Sequence, residues 1–156
     1  PKSLLRHPRA VSSLEDLSEA GFQRVIPDTA ENVRPSEVRR ILLTSGKLFY
    51  ELEETREKLE AWDVALVRLE QYYPLYDEEL REVLAPYADE VPVLWVQEEP
   101  KNMGAWGFLC MRYEGCLAGH PLGCISRPAS ASPATGSATA HKKEQQKILD
   151  QAFARA

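Results

Sequence analysis

In Val38–Gln71, VRRILLTSGKLFYELEETREKLEAWDVALVRLEQ, an apolar run stops at Gly46, a charged amphipathic stretch follows, and a second apolar run closes the segment. The first run, VRRILLTSG, reads as a buried strand. KLFYELEETREKLEAW then places Leu48, Phe49, Leu52 and Leu59 on one face at helical spacing. DVALVRLEQ, rich in valine and leucine, is a second buried strand. Strands that are apolar throughout have both faces covered, so strand–helix–strand repetition predicts a parallel sheet between helices.

The pattern continues downstream. Asp77 is placed to cap a helix whose apolar stripe is Leu80, Val83, Leu84 and Tyr87, broken at Pro86. VPVLWVQEE is a third strand. Gly104 to about Leu117 reads as a helix with Trp106, Leu109, Cys110 and Tyr113 on one side. GCISRP is a short fourth strand and ASASPATGSATA a small-residue loop. HKKEQQKILDQAFARA is a terminal helix burying Ile148, Leu149, Ala152 and Phe153. Upstream, residues 1–37 form a leader arm ahead of the regular α/β domain, 38–156. In the leader Ser13, Glu15 and Asp16 resemble a capping box ahead of Leu17, and FQRVIPD alternates as a short strand closed by Pro27.

The 156 residues are 44% apolar and 28% charged, as in a globular domain with a core of ordinary size. A net charge of −5 argues against general nucleic-acid affinity. No apolar run is long enough to span a bilayer, so no membrane partner is expected. Cys110, Cys116 and Cys124 match no zinc spacing and read as reduced thiols in a cytosol-like compartment. The chain opens at PKSLLRHP with no methionine, so the expectation is a processed product or a piece of something longer.

In a parallel sheet the polar groups beyond the carboxyl ends of the strands gather along one edge, where ligands or partners bind. That edge would present Ser45, Gly46 and Lys47, then Glu70 and Gln71, then Gln97 to Asn102, then Arg127 to Ser137. TSGK sits at a strand-to-helix turn that suits an anion, but it is not a G-x-x-x-x-G-K-[ST] loop, and a tight turn needing Gly46 is preferred. Glu70 beside Arg68 reads as an ion pair. In WVQEEPKNMGAW, Pro100 ends the strand, Asn102 is placed to cap the next helix, and Gly104 permits close packing. Glu98 and Glu99 point to opposite faces, because strand side chains alternate, and so make a poor acid–base pair. His7, His120 and His141 are scattered without a triad partner, and His141, beside Lys142 and Lys143, is expected to be solvated. No catalytic or metal-ligating set emerges. In RPASASPATGS the prolines stiffen a segment suited to packing against another surface.

Five segments, KSLLRHPRAVSSLEDL, LLTSGKLFYEL, DVALVRLEQYYPL, WVQEEPKNMGAW and RPASASPATGS…HKKEQQKILDQAF, resemble in order and spacing the carboxyl end of the decarboxylase component of the 2-oxoglutarate dehydrogenase complex. The likeness covers nearly the whole chain; residues 28–37 and 114–124 are less typical. The resemblance implies a transketolase-type C-terminal domain: a three-layer α/β/α fold with a mostly parallel five-stranded sheet, in which FQRVIPD is the antiparallel member. It implies a parent oxidoreductase of the citric acid cycle that uses thiamine diphosphate and magnesium and passes a succinyl group to a lipoyl group on a second component. The family's G-D-G…N-N cofactor motif and its catalytic histidines lie upstream and are absent here, so this chain is expected to bind no cofactor and to have no catalytic residue.

Its implied partners are a second subunit in a homodimer, the upstream domains of the same enzyme, and the lipoyl-bearing component, in a bacterial cytoplasm in preference to a mitochondrial matrix. Glu98, Glu99, Asn102, Gly104, Trp106 and Arg127 would then be interface or structural signature positions. Trp95, Tyr72, Tyr73 and Tyr76 would add aromatic contact area. Two rival readings are a regulatory module binding acyl-CoA or nucleotide, with Lys2, Arg6, Arg9 and Lys47 as phosphate contacts, and a free-standing interaction protein derived from such a domain.

Overall fold

The computed structural model describes residues 2–18 and 21–155. Its sheet has six strands in the order β1-β3-β2-β4-β6-β5: β1 (Val25–Ile26), β2 (Arg40–Thr44), β3 (Val64–Leu69), β4 (Val93–Pro100), β5 (Cys116–Leu117) and β6 (His120–Arg127). The central four strands, β3, β2, β4 and β6, are parallel. β1 runs antiparallel to β3 and β5 antiparallel to β6. The helices are α1 (Leu14–Ser18), α2 (Leu48–Leu59), α3 (Asp77–Leu84), α4 (Trp106–Tyr113) and α5 (Ala138–Phe153).

Alternation of the strand side chains divides the core in two. Ile41, Leu43, Val67, Val93 and Trp95 face α3 and α4 and pack with Leu80, Leu84 and Leu109. Leu42, Leu66, Val96 and Ile125 face α2 and α5 and pack with Leu48, Leu52, Ile148 and Phe153. Three α/β/α layers result, as expected. Each fully buried leucine among these contributes about 1.5–3 kcal/mol through loss of water contact.

The sheet is mixed and has one strand more than the expected five. The extra strand is β5: the helix predicted to reach Leu117 stops at Tyr113, where Glu114 takes a left-handed conformation (φ 49°) and Gly115 follows at φ 87°. These two residues end the helix, and a second pair with positive φ, Ala118 (53°) and Gly119 (98°), turns the chain back so that Cys116–Leu117 pair with His120–Pro121 as a hairpin. In the leader, FQRVIPD contributes only Val25–Ile26 to the sheet. The capping box is present, Ser13 Oγ accepting from Asp16 N and Asp16 Oδ2 from Ser13 N, each at 3.0 Å.

On α2, Leu59 is 58% exposed, whereas Arg56, three residues earlier, is 2% exposed. Arg56 occupies the buried stripe continuing Leu48 and Leu52, because its charge is met there by Asp28 of the leader. Asp28 Oδ2 also accepts from Leu66 N at 2.7 Å. Asp77 does not cap α3. That place belongs to Tyr76, while the Asp77 carboxylate binds Arg112 Nη2 at 2.6 Å and Tyr113 Oη at 2.7 Å.

Candidate functional site at the carboxyl edge of the sheet

From β2 the chain winds toward β3 on one side and returns to β4 on the other, so the connections part between β2 and β4. A crevice opens at the carboxyl ends of strands at such a point. Here its volume is about 300 Å3, and it is lined by Ser45, Gly46, Lys47 and Leu48 after β2, by Trp95 to Glu99 of β4, and by Tyr72. Two of the four predicted edge clusters therefore line one cleft, joined by Tyr72, which follows Glu70 and Gln71 in the chain. Gly46 makes the tight turn at φ 64°.

The charges in the cleft are balanced. Lys47 Nζ lies 2.9 Å from Glu51 and 2.5 Å from Glu98. Burial pulls the Lys47 pKa down, but the bonds to Glu98 and Glu51 outweigh it and hold the ammonium above its ordinary range. Glu98 is half-buried and faces inward, while Glu99 is exposed, as strand alternation requires. Burial also pushes the Tyr72 hydroxyl up, against an opposing bond from Ser45, and its ring meets Trp95 edge-on at 5.9 Å. The cleft offers a cation already answered by two carboxylates, a neutral phenol and aromatic faces. Such a set recognises; it supplies no nucleophile.

The residue that organises this edge is Gln97, which sequence reasoning missed as a site of its own. It is 3% exposed. Its Oε1 accepts from Trp95 Nε1 at 2.7 Å and from Trp106 N at 3.1 Å. Its Nε2 donates to Pro100 O at 3.1 Å and Met103 O at 2.7 Å, with Glu99 O at 3.3 Å. One side chain thus shapes the whole turn from Glu99 to Trp106. A glutamine directly after the apolar run Val93–Val96 was the available signal, since a buried amide needs partners on both of its ends. Gly104, at φ 68°, lies against the Gln97 amide.

Asn102 does not cap α4, whose N-cap is Ala105. Instead its amide exchanges two 3.0 Å bonds with the backbone of Ser130, tying the turn after β4 to the serine–proline loop. Arg127 is 7% exposed at the end of β6 and reaches Thr135 in the loop and His141 on α5. His141 is therefore half-buried beside a guanidinium and not solvated as expected. Trp106 is half-buried against the core. Glu70 pairs with Arg68 at 3.0 Å, as expected. The outer surface of the edge carries Tyr73, 85% exposed, with Tyr72 and Tyr76 each more than a third exposed.

The basic leader residues separate. Arg9 binds Glu53 and Glu57 on α2, which hold its guanidinium above its ordinary range. Lys2 and Arg6 are exposed and form no ion pair among the described residues. Lys47 stands apart in the cleft. The cysteines are free, with Cys110 and Cys116 exposed. Among the described residues no group of three or more His, Cys, Asp or Glu side chains is arranged to hold a metal ion, and no helix is long and apolar enough to cross a membrane.

Comparison with known proteins gives a family match over residues 11–153, to the 2-oxoglutarate dehydrogenase C-terminal family. The chain is 44% identical to the 2-oxoglutarate dehydrogenase E1 component of Cupriavidus necator, over 99% of this chain and 16% of the relative. It is 43% identical to the E1 component of Azotobacter vinelandii, over 98% of this chain and 16% of the relative. It is also 43% identical to a multifunctional 2-oxoglutarate metabolism enzyme of a Mycobacterium species, over 99% of this chain and 12% of that protein. The chain thus spans about a sixth or less of the length of these relatives.

Proposed function

The chain belongs to the 2-oxoglutarate dehydrogenase C-terminal family, and on that premise we propose that it is the C-terminal domain of an E1 enzyme that oxidatively decarboxylates 2-oxoglutarate. The observation that carries this reading is identity of 43–44% over 98% or more of the chain to proteins named for that activity. In the parent, thiamine diphosphate with magnesium supplies the decarboxylation chemistry and a lipoyl-bearing component takes the succinyl group. This chain's own residues do not fit that cofactor: no G-D-G…N-N pair occurs in the sequence, and no metal-holding cluster is present among the described residues. No step of the reaction is assigned to them.

The domain's task is assembly and support. Its carboxyl edge has a charge-balanced cleft, a turn held by Gln97, and exposed tyrosines. Tyrosine and tryptophan are residue types that anchor protein interfaces. The edge packs in a homodimer whose active sites draw on both subunits and the upstream domains. In the parent enzyme, Tyr73→Ala or Trp106→Ala weakens dimer assembly by about 1–3 kcal/mol. Turnover falls with the dimer and recovers at higher protein concentration. Sedimentation paired with a carbon dioxide release assay decides it. A dimer as tight as wild type with turnover abolished would place the edge inside the active site. A parent that releases no carbon dioxide from 2-oxoglutarate would overturn the activity itself.

A further inference from the structure

We propose that Arg127, His141 and Glu144 form a pH-responsive latch that holds the serine–proline loop, residues 128–137, against α5 while the imidazole is neutral and releases it when the imidazole takes up a proton. The inference goes beyond the assembly role and stands on the geometry of the latch alone.

Arg127 Nη2 lies 2.8 Å from His141 Nδ1. A guanidinium has only donors, so Nδ1 must accept, which places the imidazole proton on Nε2 and leaves the ring neutral. Arg127 Nη1 reaches Thr135 Oγ1 at 3.5 Å, and the Thr135 hydroxyl donates to the Glu144 carboxylate. Arg127 Nε lies 3.5 Å from the same carboxylate and has no hydrogen-bond partner of its own among the described residues. One buried side chain therefore fastens the end of β6, the loop and the first two turns of α5 to one another.

Protonation removes the acceptor. Nδ1 then carries a proton pointing at a guanidinium, and two cations face each other at contact distance. The surroundings offer little relief. His141 sits in the first turn of α5, where the unpaired N–H groups present positive charge and Ser137 is the cap. Lys142 and Lys143 follow on the same helix, and Lys101 and Lys147 border the adjoining groove with Arg127 and Glu144. Glu144 is the carboxylate of the cluster and already serves Arg127 and Thr135. Glu51 of α2, reached from α5 through Gln145, is committed to Lys47.

Asn102 still holds Ser130 after release, so the freed part runs from Ala131 to the start of α5. That part, with Pro100 and Arg127, encloses a cavity of about 230 Å3. Its opening changes the shape of the edge beside the cleft.

Amide hydrogen exchange on the full chain tests this at pH 5 and pH 8, after correction for intrinsic rates. The expected result is exchange about tenfold faster in residues 131–140 at pH 5, with β3 amides unchanged as a measure of global opening. His141→Gln keeps an acceptor for Arg127 without a titrating charge, and its loop should stay protected at both pH values. Loop protection in the wild type that is equal at the two pH values overturns the proposal. So does a His141→Gln protein that still loses protection at pH 5, or a wild type in which β3 loses protection in step with the loop.

Discussion

Substituting Gly104 by alanine tests whether the turn after β4 is held by Gln97. Gly104 has φ 68°, and an added Cβ would lie 2.9 Å from Gln97 Oε1, 3.0 Å from Nε2 and 3.1 Å from Cδ. The left-handed conformation alone costs an alanine about 1–2 kcal/mol. The contact costs more than an ordinary clash with a side-chain tip, because the amide is not free to swing away. Moving it breaks bonds to Trp95 Nε1, Trp106 N and Met103 O. Loss of one such bond in a buried site adds about 1–2 kcal/mol. The expected destabilisation is about 2–4 kcal/mol, or about 4–16 °C in Tm for a domain of this size. Differential scanning calorimetry of Gly104→Ala beside Gly107→Ala reads it directly. Gly107 lies in α4, where an added Cβ would meet nothing within 4 Å and φ is not positive, so alanine there should be neutral or stabilising. A Gly104→Ala protein melting within a degree or so of wild type would refute the account of Gln97 as a fixed strut.

Asp28→Asn should destabilise by about 3–5 kcal/mol in urea denaturation, because it leaves the buried Arg56 guanidinium without its counter-charge; a loss below about 1 kcal/mol would show the pair to be water-screened. Burial pushes the hydroxyls of Tyr87 and Tyr113 up to about 12, with Asp77 helping at Tyr113. A raised folded-state value gives stability present below the unfolded tyrosine value, about 10, and lost as pH rises through the folded one. Tyrosinate absorbance should therefore show Tyr87 and Tyr113 among the late-ionising of the six tyrosines, and Tyr113→Phe should remove one late step.

The four parallel strands and the helices between them were legible because period and apolar content change together at each boundary. The same periodicity placed Leu48, Leu52, Leu80, Leu84, Ile148 and Ala152 in the core, where they lie. It misassigned Leu59 and passed over Arg56, because α2 accepts a charge on its buried stripe only when a residue 28 positions upstream answers it. No local pattern reports such a partner. β5 was missed for a related reason: Glu114 adopts a left-handed conformation that the residue type does not announce. At the edge, the clusters around Lys47 and Gln97 were found as positions along the chain. Asn102 was assigned to a helix cap because the sequence shows its neighbours, and Ser130 is not one of them.

The buried Asp28–Arg56 pair bears on where this polypeptide can be cut. A shortened chain beginning at Val38 would keep every parallel strand and every long helix, and by pattern alone it is the regular part of the molecule. It would also leave the Arg56 guanidinium, 2% exposed when the leader is present, with no anion beside it, and carry a β3 whose outer backbone had lost its pairing with Val25 and Ile26. An uncovered strand edge of that kind, valine- and leucine-rich, is a template for pairing with other molecules. Such a fragment would be expected to come out of cells in inclusion bodies, and restoring residues 21–37 would be the remedy.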